Sequence, residues 1–471
     1  MSSPDGRVSI TVSLPATGPA DQATRSVNQV IAFAIALMAA VHFGLFGYFL
    51  YRTAITSPIS DMFTYIADYL RFRAGEVGLP SYLWQPHGEH RLVWVRLLTW
   101  ADVELLHTRG IAFMTAATAS MAATAALLWY RLRRTKPMLA APLALLAPML
   151  VLTSANVVDC SVAINTTYPI TILFAVPSIV LFADAQAPNR HANLRRTIAI
   201  AAAIGAGFAT AAGLLVWPIL IWIAWRGKAP HPWLVAVIGV GCAYVIIYLH
   251  DLPPYGLAPA LDMDAESFLS PKHVWKLADY FIGFLGLPIT REPAFAVPGR
   301  AIGLALFLAG LSALAVATFS IRLVKPLDQI AVGLIMLALG SAALAAVGRS
   351  ELVSEIPVRY TIFTSMLHVG LLYLLLSRGA QLCTTPRGQV LLNGAALVFA
   401  AMLLIQQVMI GRIAERAAAV IARDADCFAQ GTIAGPVNPA VTRTPAGSAA
   451  VISALREQGL LAPRSGQCSA P

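Results

Sequence analysis

The segment from Ile59 to Asp102 gathers the side chains best suited to chemistry: Asp61, Asp68, Glu76, His87, Glu89, His90, Arg91, Arg96 and Asp102, with Tyr65, Tyr69, Trp84, Trp94 and Trp100 among them. Asp61 and Asp68 stand seven apart in DMFTYIADYLRF, with Met62, Phe63, Ile66, Tyr69 and Leu70 on the other side. That spacing predicts an amphipathic helix along a membrane surface, with both carboxylates on its polar face. A carboxylate so placed can take a proton from a hydroxyl. For Asp61, just after Ser60, an N-cap role competes. Further on, Pro86 and Gly88 make WQPHGEHR a turn. Its His87, Glu89 and His90 suit a proton relay or a metal, and Arg91 suits a phosphate. A salt-bridged surface turn is the bland alternative.

A second set of candidates lies far downstream. GRSELVSEIPVRY supplies Arg349, Glu351, Glu355, Arg359 and Tyr360. Guanidinium groups grip phosphate bidentately, and they also serve as plain interface anchors beside aromatic rings. Asp159 and Asn165 in the short loop 155–165 and Tyr168 just after it fall on one predicted face, where an acid beside Cys160 reads as structural.

These groups sit in a chain that is 58% hydrophobic and only 12% charged, where a soluble domain carries roughly 25% charged residues. Long apolar runs recur along its length, so the fold class is an all-α, polytopic transmembrane bundle. The runs give about eleven spans. They are Val30–Tyr51, Gly110–Tyr130, Met138–Ser154, Thr166–Phe182, two short helices within 197–225 turning near Gly207–Gly213, Trp233–Leu249, Ala301–Ile321, Ile330–Val347, Thr361–Leu376 and Val390–Ile410. The net charge of +10 comes largely from bases at span ends, which orient helices and meet anionic lipid, so nucleic acid is not an expected partner. No GxxxxGK[ST] or CxxC occurs, which argues against an ATP-driven pump and structural zinc.

Basic clusters after the second and fourth spans place those ends in the cytoplasm. Residues 1–28 are then a disordered cytoplasmic tail, and 29–410 the membrane domain. The outer loops are 52–109, 155–165, 250–299 and 348–360, the first and third with interfacial helices. Residues 411–471 form a polar outer tail in which Cys427 and Cys468 are expected to pair.

With an acid just past the first span, an amphipathic helix after it and a basic outer loop later, the chain resembles the GT-C class of membrane glycosyltransferases over roughly residues 50–410. The resemblance implies a sugar donor carried on polyprenyl phosphate, an acceptor hydroxyl on a glycan, lipid or protein, and contact with membrane lipid. It implies a bacterial inner membrane and a periplasmic active face. Asp61 would be the general base, with Glu89 and His90 beside it in the catalytic group. Asp68, His87, Arg91, Arg349, Arg359 and Tyr360 would bind substrate. The acidic pair usual in that class is reduced here to Asp61, which leaves a divalent metal as an optional cofactor. Two other readings stay open: a transporter or flippase of lipid-linked sugars, and a non-catalytic assembly subunit.

Overall fold

A computed structural model describes residues 19–135, 143–186, 190–253, 263, 265–291, 295–320, 325–352, 355–382, 385–432 and 437–462, and among these it is helical with no strand. The helices are α1 (Pro19–Thr53), α2 (Met62–Arg73), α3 (Leu79–Trp84), α4 (Val93–Leu106), α5 (Ile111–Thr135), α6 (Leu146–Val151), α7 (Val157–Ser161), α8 (Thr167–Asp184) and α9 (Ala192–Gly207). They continue with α10 (Val216–Arg226), α11 (His231–Leu249), α12 (Ala265–Phe268), α13 (Pro271–Leu285), α14 (Ala296–Phe319), α15 (Pro326–Arg349), α16 (Thr361–Leu382), α17 (Pro386–Gln430) and α18 (Pro445–Glu457).

Among the described residues, nine helical segments are long and apolar enough to cross a bilayer, and each falls on an expected span. The two spans expected within 197–225 correspond to α9 and α10, joined by a turn at 208–215. Segments Leu143–Ser161, Ala163–Asp184, Pro326–Arg349 and Val358–Arg378 bury 67–83% of their apolar windows and form the core. Ser26–Thr53, His231–Leu249, Ala296–Phe319 and Gly388–Gln430 bury only 17–22% and supply the lipid-facing wall.

The two ends of the bundle are distinguished by pairing. Helices α1 and α17 run parallel: Asn393 donates to Asn28 (2.8 Å), Gln407 to the His42 carbonyl (3.4 Å), and Arg52 to Glu415 (2.7 Å). Gly411 permits this approach, since a Cβ there would meet the Phe49 ring at 2.2 Å. Both helices therefore exit beside the loop 52–109. At the opposite end, Arg131 pairs with Asp184 (2.5 Å), Arg196 donates to the Ala185 carbonyl (2.5 Å), and Arg226 to the Ala317 carbonyl (2.9 Å).

Several expectations are corrected. The first helix begins at Pro19, so residues 19–28 are helical rather than a tail; residues 1–18 lie outside the described ones. The loop 155–165 is largely helical: after a break at Leu152, 3-10 helix at Ser154–Asn156 leads into α7 to Ser161, and 3-10 helix resumes at Ala163. The tail is folded: α17 continues twenty residues past the expected exit at 410, to Gln430, and α18 packs back on α2. Cys427 is disulfide-bonded and Cys160 and Cys242 are free; Cys468, its expected partner, lies outside the described residues.

The loop 52–109 and the tail together make a cap. Ser60 N–H donates to the Val441 carbonyl (2.6 Å), Thr108 Oγ1 to Leu460 (2.9 Å), and Ala462 N–H to His107 (3.0 Å). The apolar side of α2 is thus buried in protein: Met62, Tyr65, Ile66 and Tyr69 cluster with Val103, Ala425, Val441 and Leu455. Asp68 on α2 pairs at 3.1 Å with Arg96 on α4, which also donates to the Gln85 carbonyl. Arg96 is 1% exposed, and removing one partner of such a buried pair costs about 3–5 kcal/mol. Asp102 receives the Gly110 and Ala112 N–H groups (2.8 and 3.1 Å) and fixes the start of α5.

Candidate functional site

The HGEHR turn is held rigidly from below. His87 and His90 exchange backbone hydrogen bonds of 2.9 and 3.1 Å around Gly88, whose φ of +55° suits glycine. Arg91 is the turn's anchor: it donates to the carbonyls of Trp84 (2.7 Å), Tyr248 (3.3 Å) and His250, and its guanidinium lies 5.1 Å from the Trp84 ring centre. Arg91 is 3% exposed. It ties the turn to the end of α11 and is not turned toward a ligand, contrary to its expected role in binding substrate. Asp68, committed to Arg96, departs from its expected role in the same way.

Above this anchor the other candidates converge. Asp61 occupies the N-cap position of α2 but its side chain makes no capping bond. Instead its Oδ2 lies 3.7 Å from His87 Nε2, and the His87 ring packs edge-on against Tyr65. Glu89 pairs with Arg349 at the end of α15, and Glu89 Oε1 is 3.6 Å from His90 Nε2. Arg359 donates through Nε to the Tyr168 hydroxyl (3.2 Å) and lies 5.6 Å from the Tyr360 ring centre. Tyr360 in turn stacks on Phe284 of α13 and meets Tyr168 edge-on. Residues separated by almost three hundred positions, from Asp61 to Arg359, thus share one end of the bundle.

Electrostatics bind the group together. His87 beside it, then Arg359 and Arg443 further off, hold the Asp61 carboxyl below the usual range against the opposing effect of burial. Asp61 is therefore ionised at neutral pH. His90 is the reverse case. Burial first, and then the nearby Arg349, push its imidazole down to about 4, against the pull of Glu89. The hydrogen bonding agrees: His90 Nδ1 accepts the Ala211 N–H at 3.2 Å, so that nitrogen carries no proton. His90 is a neutral imidazole whose Nε2–H faces Glu89.

This state has a pH consequence. A histidine whose folded pKa lies below its unfolded value stabilises the fold above the unfolded pKa, and that contribution is lost as pH falls through the folded one. Between about pH 6.5 and 4 the melting temperature in detergent is expected to drop. His90→Asn keeps an acceptor for Ala211 N–H and removes the titration, so its drop is expected to be shallower. Superimposable pH profiles for the two proteins would exclude a half-buried, neutral His90.

A divalent metal does not fit these donors. Among the described residues no group of three or more His, Cys, Asp or Glu side chains could hold a metal ion. Glu89 is paired with Arg349, and His90 has one nitrogen engaged by backbone. Sequence reading missed Arg443, which acts on Asp61 electrostatically from the folded tail, and the Ala211 amide; neither carries a local signal.

Fold and site together define a multi-pass helical membrane protein with an extramembrane cap and a charged cluster where cap meets bundle. Comparison with protein-family models, curated proteins and solved structures finds no match for the chain.

Proposed function

We propose that the chain is a membrane glycosyltransferase of GT-C type, acting on the periplasmic face of a bacterial inner membrane. It moves a sugar from a polyprenyl-phosphate carrier to a hydroxyl of a glycan, lipid or protein. The observation that supports this best is the meeting of an ionised carboxylate with two arginines at one end of a membrane bundle. A disulfide-bonded Cys427 in the cap suits an oxidising compartment. In this reading Asp61 takes the acceptor proton while the acceptor oxygen bonds to the anomeric carbon. The bond from that carbon to the phosphate oxygen breaks, and polyprenyl phosphate leaves with the electron pair. Arg359 and Arg349 stabilise the charge that gathers on it, and Tyr168 and Tyr360 hold the Arg359 guanidinium in place.

Membranes with and without the chain, supplied with a panel of radiolabelled polyprenyl-phosphate sugars, test the proposal. Chain-dependent donor consumption with label appearing on an acceptor is expected. A fully expressed protein that consumes none of the panel sinks it. The flippase reading has one observation in its favour, a completely buried acid, Asp159, inside a span. It predicts donor crossing the bilayer unhydrolysed, which the same labelled lipids would reveal.

A further inference from the structure

Helix α13 crosses the segment 349–360 and meets it at three levels. Lys276 Nζ donates to Glu351 (2.6 Å), and His273 Nδ1 lies 3.2 Å from the same carboxylate. A Cβ on Gly283 would meet the Ile356 side chain at 2.7 Å, and the Phe284 ring stacks on Tyr360 at 5.3 Å. Behind the helix, Arg300 of α14 holds Asp279 through two hydrogen bonds of 2.5 and 2.8 Å. Tyr280 stands one turn from Lys276 on one side and one turn from Gly283 and Phe284 on the other, so it shares their face of the helix. It is 6% exposed.

The Tyr280 hydroxyl has no hydrogen-bond partner among the described residues. Burial, and then Tyr360 beside it, raise the phenol above its ordinary range, so it stays protonated and can donate. Its other electrostatic neighbours are Arg349, Arg359 and Tyr168. A buried donor left idle costs free energy that a ligand's acceptor would recover. The guanidinium groups cannot be that acceptor, because they only donate. Arg349 pairs with Glu89, but Arg359 makes no salt bridge among the described residues, and Asp61 and Asp159 act on it from farther off. A cation without a paired carboxylate and a hydroxyl without an acceptor are satisfied by the same thing, an anionic oxygen.

We propose that the Tyr280 hydroxyl donates to a phosphate oxygen held by Arg349 and Arg359, so that α13 forms a further wall of the anion site. The proposal rests on the reading that brings a donor's phosphate to those two arginines. Tyr280 there binds the phosphate and takes no proton in the transfer.

The test uses the purified full-length protein in detergent, titrated with farnesyl phosphate, farnesol or inorganic phosphate. Dissociation constants are read from the rise of the melting temperature with ligand. Tyr280→Phe keeps the ring and removes an oxygen that bonds nothing in the free protein, so its melting temperature without ligand is expected to equal or exceed that of the wild type. Its dissociation constant for farnesyl phosphate is expected to rise about tenfold or more, the loss of one hydrogen bond to a charged group, while that for farnesol stays unchanged. The same loss with inorganic phosphate would show that the site takes free phosphate too; binding of farnesyl phosphate alone would show that the phosphate must be lipid-borne. Equal affinity of the two proteins for farnesyl phosphate overturns the role of Tyr280 and leaves the glycosyltransferase reading standing. A wild type that binds no phosphate probe overturns it as well. So does a variant that melts lower without ligand or weakens farnesol equally, since that marks a packing role. Tyr280-dependent binding of farnesyl phosphate in a protein that transfers no sugar sinks the glycosyltransferase reading alone.

Discussion

Asp61→Asn is expected to lower sugar transfer by about 10²–10⁴-fold, the usual contribution of a positioned general base, while leaving protein level and melting temperature near those of the wild type. The structural cost is small because Asp61 makes no capping bond and its side chain is 58% exposed. Asparagine keeps the size of the side chain and removes only its charge and basicity. Because His87 and Arg359 hold the Asp61 carboxyl below its ordinary range, the wild-type base is already charged throughout pH 5–8. The loss in the variant is therefore expected to be uniform across that window. Any fall in wild-type activity between pH 7 and 5 must come from another group. Initial rates on a labelled donor, measured at several pH values with protein quantified by blot, provide the check. Near wild-type rates in Asp61→Asn would remove the base from the mechanism and leave the cluster as an anion-binding or docking surface.

How much of this was legible in the sequence follows from which interactions are local. Apolar run length fixes a membrane helix by itself, so nine of the eleven expected spans match. The small residues of GAGFATAAG foretold the turn between α9 and α10 for a local reason, backbone freedom and close packing. Asp61, His87, Glu89, His90, Arg349, Arg359 and Tyr360 were singled out because charge is rare in this chain, and these are the residues brought together. The failures are non-local. Nothing around Arg91 or Asp68 tells that one is held by carbonyls on α11 and the other by Arg96 on α4. The amphipathic pattern of α2 specifies an apolar face but not whether lipid or protein covers it, and the folded tail supplies the cover. The stretch ANVVDCSVAIN reads as a loop by its polar residues, yet it is largely helical; helix breaks in a protein core carry the same composition.

Gly213→Ala is expected to unsettle both the fold and the site, through a turn that contacts the chemistry by a single backbone group. A Cβ on Gly213 would meet the Ala206 carbonyl carbon and oxygen at 2.2 Å and the Gly207 nitrogen at 2.5 Å. These are backbone atoms, so no rotamer change relieves the clash and the turn 208–215 must move away from the end of α9. Overpacking commonly costs about 1–3 kcal/mol, occasionally more, and a collision with backbone belongs to the upper end. The same turn presents the Ala211 N–H to His90 Nδ1. Displacing it frees that nitrogen, removes the bond that fixes the His90 ring, and loosens the Glu89–Arg349 pair beside it. A melting temperature lowered by several degrees, together with a lower turnover number, is expected. Gly239→Ala on α11 is the control, because a Cβ there meets nothing within 4 Å. At a helical position with room, alanine for glycine stabilises by about 0.4–1 kcal/mol. If Gly213→Ala melts like Gly239→Ala, the turn does not press on α9 as described, and His90 has lost the support that keeps it neutral and oriented toward Glu89.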